Sequence, residues 1–176
     1  MAGVRVEVQD ADAQRLLAEL ARRTGDARPA LDAIGQILVS HTQLRFVDQE
    51  DPDGLPWKPL SPVTVARRRG AGVGVKILRD TDRLIGSIDY QAGAGSVTLG
   101  SNVTYAAIHQ FGQPKGASGR TRRGGPIPWG DIPARPFFGY NDEDQRAVLE
   151  LLERYLDASQ PRSWWQRLID ALWLLF

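Results

Sequence analysis

Side chains able to do acid–base or nucleophilic chemistry near neutral pH are scarce in this chain, which has two histidines and no cysteine. His109 stands in "YAAIHQFG", Tyr105 to Gly112. It is the candidate general base, because an unperturbed imidazole titrates closest to neutrality. Catalysis asks for a partner as well, a nucleophile or an orienting group. The chain has no Gly-x-Ser-x-Gly elbow, no His-Glu-x-x-His, no Walker loop and no complete Gly-x-Gly-x-x-Gly; "GAGVGVK" and "GAGAGS" are only glycine-rich. Neither histidine has a carboxylate at a recognised metal-binding spacing. Both therefore read as structural, His109 hydrogen-bonding locally and His41 hydrogen-bonded on a largely apolar helix face. No catalytic residue, cofactor or metal is assigned.

Phosphate binding is the next chemistry to weigh. Lys115, Arg120, Arg122 and Arg123 lie in "QPKGASGRTRRGGPIPWGD", residues 113–131, which reads as a long Gly/Pro-rich loop. Arg67, Arg68, Arg69, Lys76 and Arg79 form a second basic cluster. A nucleic-acid backbone would suit both segments, but no aromatic residue interleaves with the loop arginines to stack on bases. The preferred reading is a solvated loop that orders against an acidic partner, including another copy of the chain. Acidic counterparts exist in Asp48, Glu50, Asp51 and Asp53, and residues 142–157 hold six acids against two arginines. Complementary patches on one chain favour head-to-tail association, which closes into a ring when the rotation permits.

The elements that must position these groups follow from periodicity. With 176 residues, 42% of them hydrophobic, the chain can bury one core and is short for two. We expect one α+β domain over residues 1–160, with N-terminal helices packed on a small antiparallel sheet, and a helical extension at 161–176. Basic and acidic residues number 22 and 21, so global charge does not suggest a nucleic-acid coat. The N-terminus lacks the pattern of a secretory signal and no apolar run approaches the ~18 residues of a membrane span. Cytoplasmic residence without a membrane is expected.

Val4, Val6 and Val8 alternate as a strand. Asp10 or Asp12 caps a helix bearing Leu16, Leu17 and Leu20 that stops near Thr24-Gly25. Pro29 opens a longer helix with Leu31, Ile34, Leu38, His41, Leu44 and Val47 as its stripe. The prolines of "DQEDPDGLPWKPLSP" end it and set Trp57 across the core or a neighbouring subunit. Ser61 and Pro62 start a short basic helix. After a turn at Thr81 to Leu84 come two strands, Ile85 to Ala92 and Val97 to Ser101, joined as a hairpin.

"NVTYAAIHQFG" reads as a short helix closed by Gly112, with Tyr105, Ile108 and Phe111 packed under the hairpin. "IPARPFFGY", from Ile132, reads as a final extended strand, with Arg135 free for an ion pair and Phe137 and Phe138 on opposite faces, one in the core and one at an interface. Asn141 caps a helix with Val148, Leu151, Leu152 and Tyr155 on its apolar face. "SWWQRLIDALWLLF" is amphipathic, and Trp164, Trp165 and Trp173 suit a groove on a neighbouring protein better than a lipid surface.

Four of these stretches come in a telling order. "DGLPWKPLSPVT" from Asp53, "ILRDTDRLIGSI" from Ile77, "YAAIHQFG" from Tyr105 and "IPARPFFG" from Ile132 resemble the motifs of the phage virion morphogenesis family, the tail-completion proteins of phages similar to Mu and P2. The resemblance covers roughly residues 28–157; in its second motif Asp82 stands where the family pattern has glycine. It implies a non-enzymatic virion component at the tail end or neck that completes the tail tube and joins it to the head. Its implied partners are copies of itself in a ring, commonly sixfold, the tail tube protein and head-completion or connector proteins, with DNA passing through the channel. The residues expected to make such contacts are Trp57, Arg67, Arg68, Arg69, Lys115, Arg120, Arg122, Arg123, Arg135, Phe137, Phe138, Trp164, Trp165 and Trp173. Tyr105, His109, Phe111, Gly112 and His41 are expected to be structural. The alternative is a nucleic-acid-binding module using residues 67–79 and 115–123.

Overall fold

A computed structural model describes residues 4–6, 10–70, 75–93 and 95–159; the C-terminal tryptophans Trp164, Trp165 and Trp173 and the side chain of Arg69 lie outside them. Strand β1 (Val4–Val6) is followed by α1 (Ala11–Thr24), α2 (Arg28–Asp48) and α3 (Pro62–Gly70). Strands β2 (Ile88–Ala92) and β3 (Val97–Ser101), α4 (Ala106–Phe111) and α5 (Asp142–Ala158) complete the order. The strands form one antiparallel sheet, β1-β3-β2, with Ser101 opposite both Val4 and Ile88. The class is α+β.

Local chemistry accounts for most of the boundaries. Asp10 caps α1 by accepting from the Asp12 and Ala13 amides at 3.0 and 3.1 Å, and Gly25 ends it in the left-handed region. Ser61 Oγ accepts from the Thr64 amide at 3.2 Å where Pro62 begins α3. Asn141 and Asp144 form a reciprocal capping box on α5. The strand expected from Ile85 starts three residues later, at Ile88. A 3-10 turn takes Ile85–Ser87, because the turn opened at Asp82 runs on through Gly86 N–H to Asp82 O and Ser87 N–H to Leu84 O.

Helix α2 organises the molecule. Its N-terminal half contributes Ala30 and Ile34 to a helical cluster with Ala13, Leu20, Val148 and Leu152. Its C-terminal half carries Phe46 into a second cluster with Trp57, Ile88, Leu99, Phe137 and Phe138. Between the two sits Gly35, where a Cβ would lie 2.1 Å from the Tyr90 ring, so β2 closes onto bare helix backbone. The expected stripe departs from this face. Leu44 and Val47 are 52% and 49% exposed, while Thr42, Arg45 and Phe46 are buried. Each three-residue step falls about 60° short of a turn, so Leu38, His41, Leu44 and Val47 precess around the helix and off the core.

Arg45 is the unexpected core residue. One guanidinium nitrogen donates to Asp144 Oδ2 at 2.5 Å; the other donates to the carbonyls of Phe137 and Gly139, both at 3.1 Å. Asp144, equally buried, also lies 2.7 Å from His41 Nδ1 through Oδ1. Removing Arg45 takes away the guanidinium that faces the buried Asp144 carboxylate, and breaking a buried pair in this way typically costs about 3–5 kcal/mol. Arg45→Met is expected to lower unfolding stability by about that amount in urea titrations. A loss under about 1 kcal/mol would show that the pair does not carry the α2–α5 junction.

Candidate functional site

Residues 113–131, expected as a loop, fold back on themselves with Ile132 as an irregular two-limbed arm. Gln113 and Ile132 exchange both backbone hydrogen bonds at 2.9 and 2.8 Å. Further out, the Ser118 amide donates to Ile127 O and the Ile127 amide to Gly119 O, each at 2.8 Å. A Thr121 to Gly124 turn closes the tip, with Arg122 and Arg123 as its central residues. Among the described residues, every hydrogen bond of this arm has both ends within it. Lys115, Arg120, Arg122 and Arg123 are exposed and make no ion pair there. Aromatic surface borders them, with Phe111 72% and Trp129 77% exposed.

An acidic groove of about 610 Å³ lies between the end of α2, the following loop and the start of α5. Asp48, Glu50, Asp51, Asp53, Asp142 and Glu143 line it, and none of the six has an ion-pair partner among the described residues. The loop is held by Asp51, whose Oδ1 accepts from the Asp53 and Leu55 amides at 2.9 Å each. Leu44 lines the groove, and Leu55 is 62% exposed on the same loop.

His109 borders a third feature, a cleft of about 490 Å³ with Tyr105, Ser61, Arg68, Asp80 and Arg135 in its lining. Its ring meets Tyr105 edge-on, at 5.8 Å between centroids. The expected local hydrogen bond is missing: Nδ1 is buried and has no partner among the described residues. A general base needs an orienting group on one nitrogen and a proton source near the other, and this ring has no such orienting bond. Ser61 is committed to Thr64, with 2.9 Å between their hydroxyls. No group of three metal-ligating side chains occurs among the described residues.

Several residues expected at an interface are interior instead. Trp57, Phe137 and Phe138 are all buried, the two phenylalanine rings lying 4.8 Å apart rather than on opposite faces. Arg135 is buried too, and donates to Lys58 O at 2.8 Å and Pro59 O at 3.0 Å rather than to a carboxylate. The reason is that residues 135–139 form no strand. Gln110 accepts from the Phe137 and Phe138 amides at 3.0 Å each and donates to Phe138 O at 2.9 Å. Trp57 Nε1 donates to Pro136 O at 2.7 Å. Side chains thus replace a neighbouring strand and draw both phenylalanines inward. Phe111, expected under the hairpin, points outward at the end of α4. Gly112 makes the exit turn at φ 77°, where a Cβ would lie 2.8 Å from the Ala134 amide nitrogen.

Two members of the 67–79 cluster, Arg68 and Arg79, face carboxylates of the chain. Arg68 has a nine-tenths buried side chain 3.3 Å from Asp80, and Arg79 grips Asp82 through two hydrogen bonds. Arg67 remains exposed. Asp82, at the glycine position of the family pattern, adopts φ 53°, so the left-handed turn is kept with an aspartate.

Burial, and then the nearby Arg135 guanidinium, holds the His109 pKa below its ordinary 6.5. The unfolded chain then takes up this proton first on acidification. The resulting stability is fully present above the ordinary value and is lost as the pH falls below it toward the depressed one. Urea midpoints measured from about pH 7.5 to about pH 5 should fall, and His109→Gln should flatten that slope. An unchanged slope would remove His109 as its source.

Comparison with known proteins agrees with the motif order. Among the described residues no helix is long and apolar enough to cross a membrane. No solved structure matches the chain. Mu-like prophage FluMu G protein 2 of Haemophilus influenzae is 31% identical over 154 residues, covering 85% of this chain and 95% of that protein. The putative capsid assembly protein G of Escherichia phage Mu is 31% identical over 148 residues, covering 83% and 89%. Residues 8–157 match the profile of the phage virion morphogenesis family. With the match spanning most of its length, the chain belongs to the phage virion morphogenesis family, and its role is in building the phage particle.

Proposed function

We propose that this chain is a structural subunit of the phage head–tail connection, assembling as a ring that completes the tail tube and joins it to the head. It acts by protein–protein contact and carries out no covalent chemistry. The observation behind this reading is the arm: a folded, net-positive element whose cations have no ion-pair partner among the described residues. Holding such an element folded is useful when another molecule supplies the missing carboxylates. The His109 cleft supports the same reading, since Nδ1 of its imidazole has no orienting partner among the described residues and Ser61 there is bonded to Thr64.

The nucleic-acid alternative is weakened in its second segment, where Arg68 and Arg79 face carboxylates of their own chain. Its remaining footprint is exposed Arg67 and Lys76 together with the arm, which sets four cations against Asp131. Isolated subunits are expected to bind duplex DNA weakly at physiological salt, near the non-specific range of about 10⁻⁴ to 10⁻⁶ M. Tight binding with a steep salt slope would favour the alternative.

The decisive experiment removes the gene from its phage and images the products. DNA-filled heads beside unjoined tails are expected, and a tagged copy supplied in trans should restore joining and localise at the neck. Defective or absent heads would move the role to capsid assembly, and absence of the tagged chain from finished particles would end the structural reading.

A further inference from the structure

Among the described residues the outward face of α2 has no partner. Leu44 and Val47 stand half exposed on a helix whose other side forms the core, and Leu55 adds a third aliphatic group from the loop beyond. What covers this face is indicated by its surroundings. The six carboxylates of the groove, unpaired among the described residues, make a strongly negative rim around Leu44. A covering surface must bring positive charge for that rim and apolar area for the leucines.

The arm has both. Arg122 and Arg123 occupy its tip, Lys115 and Arg120 its outgoing limb, and Trp129 and Ile127 expose apolar area on the returning limb. Within one chain the two surfaces do not meet, since no ion pair or hydrogen bond joins them among the described residues. We propose that the arm of one copy docks on the acidic groove and exposed α2 face of the next. Arg122 and Arg123 reach the carboxylates, and the aromatic base of the arm covers Leu44, Val47 and Leu55. Because arm and groove are different surfaces, the contact is head-to-tail and repeats around a closed ring or along an open filament. The proposal rests on the reading that the chain assembles with itself, and supplies the surfaces.

Two sets of charge reversals test it. The arm variant carries Lys115→Glu, Arg122→Glu and Arg123→Glu; the groove variant carries Asp48→Lys, Glu50→Lys and Asp53→Lys. All six side chains lack hydrogen bonds among the described residues, and Asp51, which shapes the loop, is left alone. Circular dichroism checks folding, and sedimentation velocity at low salt reads association. Each variant alone is expected to associate at least roughly tenfold more weakly than the unaltered chain.

Mixing the two variants should restore assembly. The acidic arm then meets a basic groove, and the basic arm meets an acidic one, so the copies alternate. Weakening of unaltered assembly by added salt gives a reading that needs no variant, since the Debye length shortens to about 3 Å at 1 M. Wild-type association by both variants, salt-insensitive assembly, or a strictly monomeric unaltered chain would each overturn the pairing. So would an arm reversal that abolishes DNA retention and leaves association intact. The head–tail reading fails separately, on the location of the chain in finished particles.

Discussion

A guanidinium inside the molecule is the constraint on which the rest depends. Arg45 is the point where α2, α5 and the segment at 137–139 meet, and its burial is offset by the Asp144 carboxylate and two carbonyls that accept from it. Asp144 is shared further: its Oδ2 also accepts from the Asn141 amide at 3.1 Å, closing the cap of α5, and Oδ1 faces His41. The same carboxylate therefore starts a helix and docks it. Register along α5 follows, because Val148 and Leu152 stand one and two turns beyond Asp144 and enter the helical cluster.

With α5 placed, the preceding segment has nowhere to pair as a strand. Pro133 and Pro136 carry no amide hydrogen; the Arg135 amide donates to His109 O, and Gln110, Trp57 and Arg45 meet backbone groups of residues 136–139. Side chains from three separate elements thereby hold residues 136–139 in place of a ladder. This also explains how two consecutive phenylalanines turn to one core: the alternation of a pleated strand does not apply.

Legibility in the sequence follows the range of the interactions. Helices α1, α3 and α5 could be read because Asp10, Ser61 and Asn141 act within three residues of themselves. The hairpin was readable from its alternation, and the family from four ordered motifs. Arg45, Gln110 and Asp144 were not, because their partners lie 99, 27 or 28 and 103 residues away, and nothing local marks an arginine or glutamine as interior. Gln110 sits in the same motif as His109, yet the histidine drew the chemical reading by its pKa while the glutamine holds the fold. Asp82 is the opposite case. Its turn could be questioned from sequence alone, and it persists because aspartate tolerates the left-handed region and Arg79 takes up its charge.

The division between core and surface bears on how such a subunit can assemble. Trp57, Phe137 and Phe138, the large apolar residues of the family motifs, are spent on the subunit's own interior, so they give a free copy no adhesive patch. Among the described residues it exposes charge instead, with apolar area scattered over Leu44, Val47, Leu55, Val63, Phe111 and Trp129. Exposed ion pairs are individually weak, commonly about 0.2–1 kcal/mol, so a single arm-to-groove contact would be readily reversible at cellular ionic strength. Closing a ring changes the balance, because the last subunit makes two contacts while losing its freedom once. Unpaired charge on the arm and in the groove, carried on a self-sufficient core, is thus the arrangement that the proposed ring requires: a subunit that stays separate in solution and is held once the ring closes.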